Sequence, residues 1–159
     1  MSHAESALAR FEKHIGNEEG VGEWMQVDQA RINQFADATL DHQFIHIDPE
    51  KSAELSPYKT TIAHGFLTLS LLVHLTAQIP ARDPAVQEGM VMGVNYGLDK
   101  VRFPAPVPVG SKIRAERTLL SVELKAPNTI QLKTQVTIEI EGSEKPVCVA
   151  ESLMRMIYA

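Results

Sequence analysis

Cysteines and long apolar runs are what this sequence lacks. It has one cysteine, Cys148, among 159 residues. No disulfide can therefore form within the chain, and a reducing compartment suits it. No stretch approaches the roughly 18 consecutive apolar residues of a membrane-spanning helix. Residues 1–13 carry charges of both signs and no apolar core, so we expect no signal peptide and a cytoplasmic protein.

Basic residues are also few. Lysine and arginine number 15 against 20 aspartates and glutamates, a net charge of -5. This balance argues against a protein whose main partner is nucleic acid or an anionic membrane, although a local basic patch for a phosphorylated ligand stays possible. The length suffices for one domain with a core and is too short for two ordinary ones. We therefore expect residues 1–159 to form a single domain.

Helical signals dominate the first half of the chain. The pattern predicts helices over 4–14, 29–39 and 49–55, and a possible strand over 23–27. Asp28 and Asp48 stand where N-cap residues are expected, and Pro49 fits the first position of a helix. The most apolar segment runs over 64–79 and ends at Pro80. A helix that is apolar on nearly every side is predicted to be buried.

The second half changes period. Residues 130–140 alternate apolar and polar side chains, which predicts a strand with one dry and one wet face. Glu141-Gly142-Ser143 is typical of a turn, so residues 146–158 should return as an antiparallel strand. Two more strands are predicted over 90–103 and 112–124. Helices followed by antiparallel strands predict an α+β fold.

The segment richest in chemically active side chains follows the second predicted helix. Its aspartates and histidines are Asp37, Asp41, His42, His46 and Asp48, and His64-Gly65 comes shortly afterwards. Adding water to a 2-enoyl thioester needs a base, an acid, and donors facing the thioester oxygen. Asp41 and His46 can supply the acid and base if the loop between them folds back. Gly65 can supply a donor, because the first amides of a helix have no partner within it.

The same segment resembles a known family. Phe35-Ala36, Thr39, Asp41, Gln43, Ile45-His46 and Asp48-Pro49, followed by Ile62 to Leu71, resemble the hydratase motif of MaoC-like dehydratases. These are the (R)-specific enoyl-CoA hydratases of the hot-dog fold, and the pattern is closest to the branch that includes nodulation protein N. The resemblance extends over about residues 20–155. Leu40 departs from it, since that position is often glycine.

This resemblance implies a single hot-dog domain, an antiparallel sheet wrapped around a buried central helix. It implies that Asp41 and His46 hold a water molecule and that the Gly65 N–H binds the thioester oxygen. The reaction would convert trans-2-enoyl-CoA, or an acyl carrier protein thioester, to the (R)-3-hydroxyacyl product. It needs no metal and no cofactor, and it is carried out by a homodimer.

Other residues are weaker candidates for substrate binding. His64 is expected to cap or pack the central helix rather than to act as an acid, and Ser70 is matched to a serine sometimes found along that helix. Lys100 and Arg102, with Lys112 and Arg114, form a cationic cluster in the sequence that could meet a CoA phosphate, although most such clusters are solvated faces. His74 is expected to be a buried, hydrogen-bonded histidine.

Three alternatives remain at this point. His42 and His46, with Asp41 and Asp48, could bind a metal, although the segment does not read as one helix. A hot-dog thioesterase usually places a carboxylate on the central helix, and none occurs from His64 to Ile79. A non-catalytic acyl-CoA-binding module would have no need for both Asp41 and His46.

Overall fold

Six helices and six strands build the fold, and the computed structural model describes all of residues 1–159. The helices are α1 His3–Glu12, α2 Gln29–Thr39, α3 Phe44–Ile47, α4 Pro49–Leu55, α5 Gly65–Ser70 and α6 Leu72–Ala77. The strands are β1 Glu18–Val21, β2 Met25–Gln26, β3 Met90–Arg102, β4 Lys112–Ala126, β5 Thr129–Ile140 and β6 Cys148–Tyr158. A 3₁₀ turn, Pro84–Gln87, precedes β3. The predicted order of helices and strands is confirmed.

Side-chain caps fix the starts of the helices in the first half. Asp28 accepts a hydrogen bond from the backbone N–H of Arg31 at 2.9 Å, and α2 begins there. Asp48 does the same for α4, accepting from the N–H of Lys51 at 2.9 Å, with Pro49 at the first helical position. Both caps satisfy amides that have no partner inside the helix. The two predicted N-caps are confirmed.

All six strands belong to one antiparallel sheet. Its order is β1–β4–β5–β6–β3, and β2 also pairs with β4. The predicted alternation of β5 is present: Ile130, Leu132, Val136, Ile138 and Ile140 are buried, while the polar residues between them are at least partly exposed. Gly142 has φ +86° in the turn after β5, a conformation that favours glycine. Helices on one antiparallel sheet make this the predicted α+β fold.

The helix pair α5–α6 lies against the inner face of this sheet. Leu67, Leu72 and Leu75 belong to the same buried cluster as Ile113 and Ile138 of the strands. The buried positions of the helices recur at intervals of three and four residues, which is the period of a single helical face. The core that carries the functional segment is therefore the contact between this face and β4, β5 and β6.

The prediction that this helix is buried on nearly every side is wrong for the single chain. Phe66 is 69% exposed and Val73 is 48% exposed, and the helix is interrupted at Leu71. His74, predicted to be buried, is exposed and bonds to the Gln78 side chain. One face meets the sheet, and the opposite face leaves Phe66 and Val73 largely exposed.

The cationic cluster inferred from the sequence does not exist as a unit. Lys100 and Arg102 lie on β3, whereas Lys112 and Arg114 lie on β4. Two strands separate β3 from β4, which corresponds to about 14 Å at the usual strand spacing. Arg114 is also paired with Glu139 at 2.9 Å. Neighbours in the sequence are not neighbours in this sheet, because its strand order departs from chain order.

The single cysteine behaves as a core residue. Cys148 begins β6 and is fully buried. Burial raises the pKa of its thiol to about 11, so the reactive thiolate is scarce at neutral pH. This agrees with the prediction of a small, buried apolar side chain. Separately, no helix of the protein is both long enough and apolar enough to cross a membrane.

Candidate active site

A tight loop after α2 carries the first acidic residue of the site. α2 ends at Thr39, and the next residue, Leu40, adopts the left-handed conformation with φ +66°, a region that disfavours leucine. The chain turns there, and the Asp41 carboxylate accepts a hydrogen bond from the Gln43 N–H at 3.3 Å. The single turn α3 follows and brings His46 back towards the segment before α5. The loop therefore folds back on itself.

His46 is the most tightly held polar side chain of this loop. It is 7% exposed, and its Nδ1 lies 2.7 Å from the carbonyl oxygen of Ile62. A carbonyl only accepts hydrogen bonds, so Nδ1 carries the proton and Nε2 of the neutral ring keeps its lone pair. Burial lowers the pKa of His46 below its ordinary value, and the neighbouring His64 adds to this effect. His46 is thus held as a neutral imidazole that can accept a proton at Nε2.

His64 packs directly on His46. The two ring centroids are 3.8 Å apart with an interplanar angle of 22°, and Phe35 lies 4.9 Å away on a tilt. His64 Nε2 lies 3.0 Å from the backbone carbonyl oxygen of Asp41, so Nε2 donates. Its Nδ1 is buried and has no hydrogen-bond partner. His64 precedes α5 as its N-cap residue, yet its side chain makes no capping bond.

The Asp41 carboxylate completes a small polar group. Asp41 is about half exposed, with its side chain at 51%, whereas the two histidines are buried. One side-chain oxygen or nitrogen atom from each of Asp41, His46 and His64 lies within 4.8 Å of the others. A water molecule within this group would have both an acceptor and a proton-accepting nitrogen beside it.

The alternative metal set is not assembled. His42 pairs with Asp37 at 2.9 Å, while Asp48 caps α4. Asp37 and Asp48 therefore have the solvated and capping roles predicted for them. Asp41, His46 and His64 do place one possible ligand atom each within 4.8 Å of one another, but each histidine already uses one ring nitrogen on a backbone carbonyl.

Gly65 is the first residue of α5. Its backbone N–H makes no hydrogen bond within the helix and finds no acceptor in the adjoining loops, as expected for the first amides of a helix. The ring of Phe103 would lie 3.1 Å from a Cβ added at this position. Glycine therefore lets Phe103 approach, and the free N–H is next to the His64 ring that borders the polar group.

The remaining sequence candidates lie outside this group. The Ser70 hydroxyl donates to the Phe66 carbonyl at 2.7 Å and borders a cavity of about 270 Å³ shared with residues 95–98 of β3. Lys100 and Arg102 are exposed on β3, where Arg102 immediately precedes Phe103. The structure thus brings together Asp41, His46, His64 and Gly65, and places the other three along α5 and the edge strand.

Sequence reasoning missed a larger, mostly apolar cavity. It has a volume of about 350 Å³ and lies between α6, α1 and the sheet, sharing Leu72, Val73 and Ser152 with the smaller cavity. Its lining includes Thr134, Met154 and Met156. The alternation of β5 marked Thr134 as inward-facing, but no local signal shows where packing leaves space. Together the two cavities follow the helix pair away from Gly65.

Comparison with known proteins decides the family. The family model described as "MaoC like domain" matches residues 10–141. This chain belongs to that family. The match covers both the Asp41–His46 loop and the helix pair, so the site lies inside the family domain. In coarse terms the family assignment supports a hydratase or dehydratase.

Two curated relatives share nearly the whole length of this MaoC-like protein. It is 49% identical over 151 residues to 3-hydroxyacyl-thioester dehydratase Z of Mycobacterium tuberculosis, covering 95% of this chain and 96% of that one. It is 46% identical over 146 residues to Nodulation protein N of Rhizobium leguminosarum bv. viciae, covering 92% and 88%. The predicted resemblance to the nodulation protein N branch is confirmed.

The fold is shared with solved members of the family. A MaoC-like dehydratase from Rhodospirillum rubrum superposes with a TM-score of 0.70 at 19% identity, covering 91% of this chain and 93% of that one. At that identity the likeness concerns the fold alone. It confirms the predicted hot-dog arrangement of an antiparallel sheet around a central helix.

Proposed function

We propose that this protein is an enoyl-CoA hydratase, which adds water to a trans-2-enoyl-CoA to give (R)-3-hydroxyacyl-CoA. The observation that carries the proposal is the state of His46. Its Nδ1–H is engaged by the Ile62 carbonyl, which leaves the Nε2 lone pair free. A ring nitrogen of His46 also lies within 4.8 Å of an Asp41 carboxylate oxygen. The name of the relative at 49% identity, a 3-hydroxyacyl-thioester dehydratase, supports the same chemistry in the reverse direction.

The proposed mechanism uses Asp41 and His46 as one acid–base unit. The pair holds a water molecule and takes one of its protons as the water oxygen bonds to the β-carbon. The π electrons of the double bond move through the α-carbon onto the thioester oxygen. The α-carbon then takes a proton back from the pair, so that water has been added and the site has recovered its initial protonation state.

Gly65 is the proposed oxyanion donor. Negative charge builds on the thioester oxygen in the transition state, and a fixed donor at that point lowers the barrier more than it strengthens substrate binding. The Gly65 N–H is a donor available at the start of α5, since it has no hydrogen-bond partner in the protein. No metal or prosthetic group has a step in this mechanism, so activity should survive exhaustive chelation.

The cavities along the helix pair are the proposed acyl site. The smaller one begins beside Ser70, and the larger one ends among Leu72, Thr134 and Met156. Gly65 and Leu72 are seven residues apart, about 10 Å along a helix, so an acyl chain could run from the thioester into this space. Lys100 and Arg102, exposed on β3, are the proposed contacts for the phosphates of CoA or of an acyl carrier protein's arm.

One paired assay separates this function from its rivals. Enoyl-CoA is followed through the absorbance of its conjugated double bond while free thiol is measured in the same sample. A hydratase loses the band without releasing thiol. A thioesterase releases thiol, and an acyl-CoA-binding module does neither, so either of those results contradicts the proposal.

The stereochemistry has its own test. The (R) product follows from the family resemblance, because chirality depends on which face of the alkene meets Asp41 and His46. A coupled assay with an (S)-specific 3-hydroxyacyl-CoA dehydrogenase should show no oxidation of the product. Steady oxidation would assign the opposite face.

We also propose a homodimer formed through β3. This edge strand exposes apolar side chains on both faces, including Val94 at 41%, Tyr96 at 56% and Leu98 at 43%. An unpaired apolar edge is a template for another strand. Val94→Lys should therefore shift the mass measured by light scattering from dimer to monomer. Leu124→Lys, a β4 position with 43% exposure, is the control that should leave the dimer intact. A monomeric wild-type protein would contradict this proposal.

A further inference from the structure

The His64 side chain contacts both members of the proposed pair. Its Nε2–H donates to the backbone carbonyl of Asp41 at 3.0 Å, and its ring covers His46 with centroids 3.8 Å apart. It is 2% exposed. These contacts join the loop of Asp41, the turn of His46 and the start of α5, three segments that share few other bonds.

We propose that His64 is a positioning residue, which holds the Asp41 backbone through Nε2–H and the His46 imidazole through its ring face. This rests on the proposed function, and it assigns to His64 a role other than capping the helix or binding the thioester. His64 itself exchanges no proton with the substrate.

Both contacts of His64 matter because little else restrains the side chains of Asp41 and His46. The Asp41 side chain is half exposed, and its Oδ2 lies 4.0 Å from His64 Nε2. Its one hydrogen bond is from the Gln43 N–H, at a long 3.3 Å. The His46 side chain has a single hydrogen bond, to Ile62, and one bond leaves an imidazole free to rotate about that bond. The donor from His64 fixes the backbone under the carboxylate, and the stacked ring prevents that rotation.

The unpaired Nδ1 of His64 indicates that this residue does more than fill space in the core. This buried nitrogen has no hydrogen-bond partner, and a buried polar atom left unpaired lowers stability. A residue needed only to fill the space beside Phe35 and His46 would be better replaced by an apolar ring. Histidine also provides a flat ring for stacking and adds the Nε2–H donor, but it leaves Nδ1 without a hydrogen-bond partner.

Two variants separate the two contacts of His64. His64→Phe keeps a stacking ring, removes the donor to Asp41 and removes the unpaired nitrogen. His64→Gln can keep a donor to the Asp41 carbonyl and loses the ring. If Phe is too large to fold here, His64→Leu, which also lacks the donor, takes its place in the same comparison.

We expect the two variants to rank in opposite order for melting temperature and for kcat. His64→Phe should match or exceed the wild-type melting temperature while kcat falls about 10- to 100-fold with little change in KM, the scale expected for a misplaced catalytic group. His64→Gln should melt lower than the Phe variant yet retain more of kcat. If kcat follows the melting temperature in both variants, or if the Phe variant is as active as wild type, His64 only packs and the proposal is overturned.

A second readout does not depend on activity. Exchange of the Gln43 amide hydrogen, which bonds to the Asp41 carboxylate, reports the order of the loop. It should be about tenfold faster in His64→Phe than in wild type or in His64→Gln. If wild type lacks hydratase activity, the proposed function fails, and this exchange rate still decides whether His64 orders the loop. Equal rates in all three proteins would overturn the positioning role.

Discussion

The segment from Asp41 to Gly65 and the sheet of β4, β5 and β6 are buried in different ways. Eight buried residues of the chain are polar, and five of them lie between residues 46 and 64: His46, Ser52, Ser56, Thr61 and His64. The three strands bury one, Ser152, among many apolar side chains. A core needs apolar side chains, so the polar burial in the segment calls for another reason.

Hydrogen bonds account for most of this polar burial. Ser52 donates to the Phe44 carbonyl, Thr61 to Gln29, and His46 to Ile62. Each bond offsets the cost of removing a polar group from water. The sheet stabilises the fold, whereas this network fixes the orientation of a few side chains. Variants in the two regions should therefore affect different measurements.

The largest expected effect is on kcat, from a substitution of Gly65 at the end of the polar segment. Gly65→Pro removes the proposed donor N–H, and the backbone accepts proline because Gly65 is the first helical residue and His64 has ψ 138°. We expect kcat to fall by about 10² to 10³ relative to Gly65→Ala. Both substitutions should be made in a protein that also carries Phe103→Leu, since the Phe103 ring crowds a Cβ added at position 65. Equal kcat in the two would remove this amide from the oxyanion site.

A substitution in the sheet should instead lower stability and leave kcat near its wild-type value. Ile138 is fully buried on β5, and Ile138→Ala should lower the free energy of unfolding by about 2–5 kcal/mol through lost burial and a cavity. Denaturant titration measures that loss. kcat per folded molecule should stay near wild type below the new melting transition. A selective loss of kcat at full folding would mean that the sheet shapes the site directly.

A smaller effect concerns pH. Burial lowers the pKa of His46, so kcat/KM should hold down to a pH below about 6.5, the ordinary histidine value, and then fall about tenfold per pH unit. Between 6.5 and the lower pKa of the folded state, the unfolded chain binds more protons, so the free energy of unfolding should decrease as pH falls through that window. His46→Gln should remove this part of the stability profile, which pH-dependent denaturation would show.

The smallest effect tests where the acyl chain lies. Thr134 borders the larger cavity from β5. Thr134→Phe should lower kcat/KM for long-chain enoyl-CoA by several-fold and leave crotonyl-CoA unaffected, because one or two methylene contacts in an apolar pocket are worth about tenfold or more. A series of enoyl-CoA chain lengths is the measurement. A uniform change across the series would place the chain elsewhere.

The regular parts of the fold were predictable from local signals. Period-two alternation located β5 to within one residue, and Asp28 and Asp48 marked two helix starts correctly. Such signals depend on a few neighbouring residues, so they survive without knowledge of the tertiary structure. The motif likewise identified the residues that the structure brings together around Asp41 and His46.

The features that the sequence did not predict depend on contacts between residues that are distant in the sequence. The exposure of His74 depends on which helix face meets the sheet, and the separation of Lys100 from Arg114 depends on strand order. The bond from His64 to the Asp41 carbonyl follows from a left-handed Leu40, where a leucine gives no signal for the turn. The loop geometry therefore had to come from the structure.

The turnover of Asp41→Asn and His46→Gln on crotonyl-CoA tests the central claim most directly. Each variant should keep the wild-type fold by circular dichroism and lose about 10²-fold or more in kcat, the scale for losing a positioned acid or base. The double variant should be little worse than either single one, because the two residues act as a unit. Near-wild-type turnover in both single variants would contradict the account.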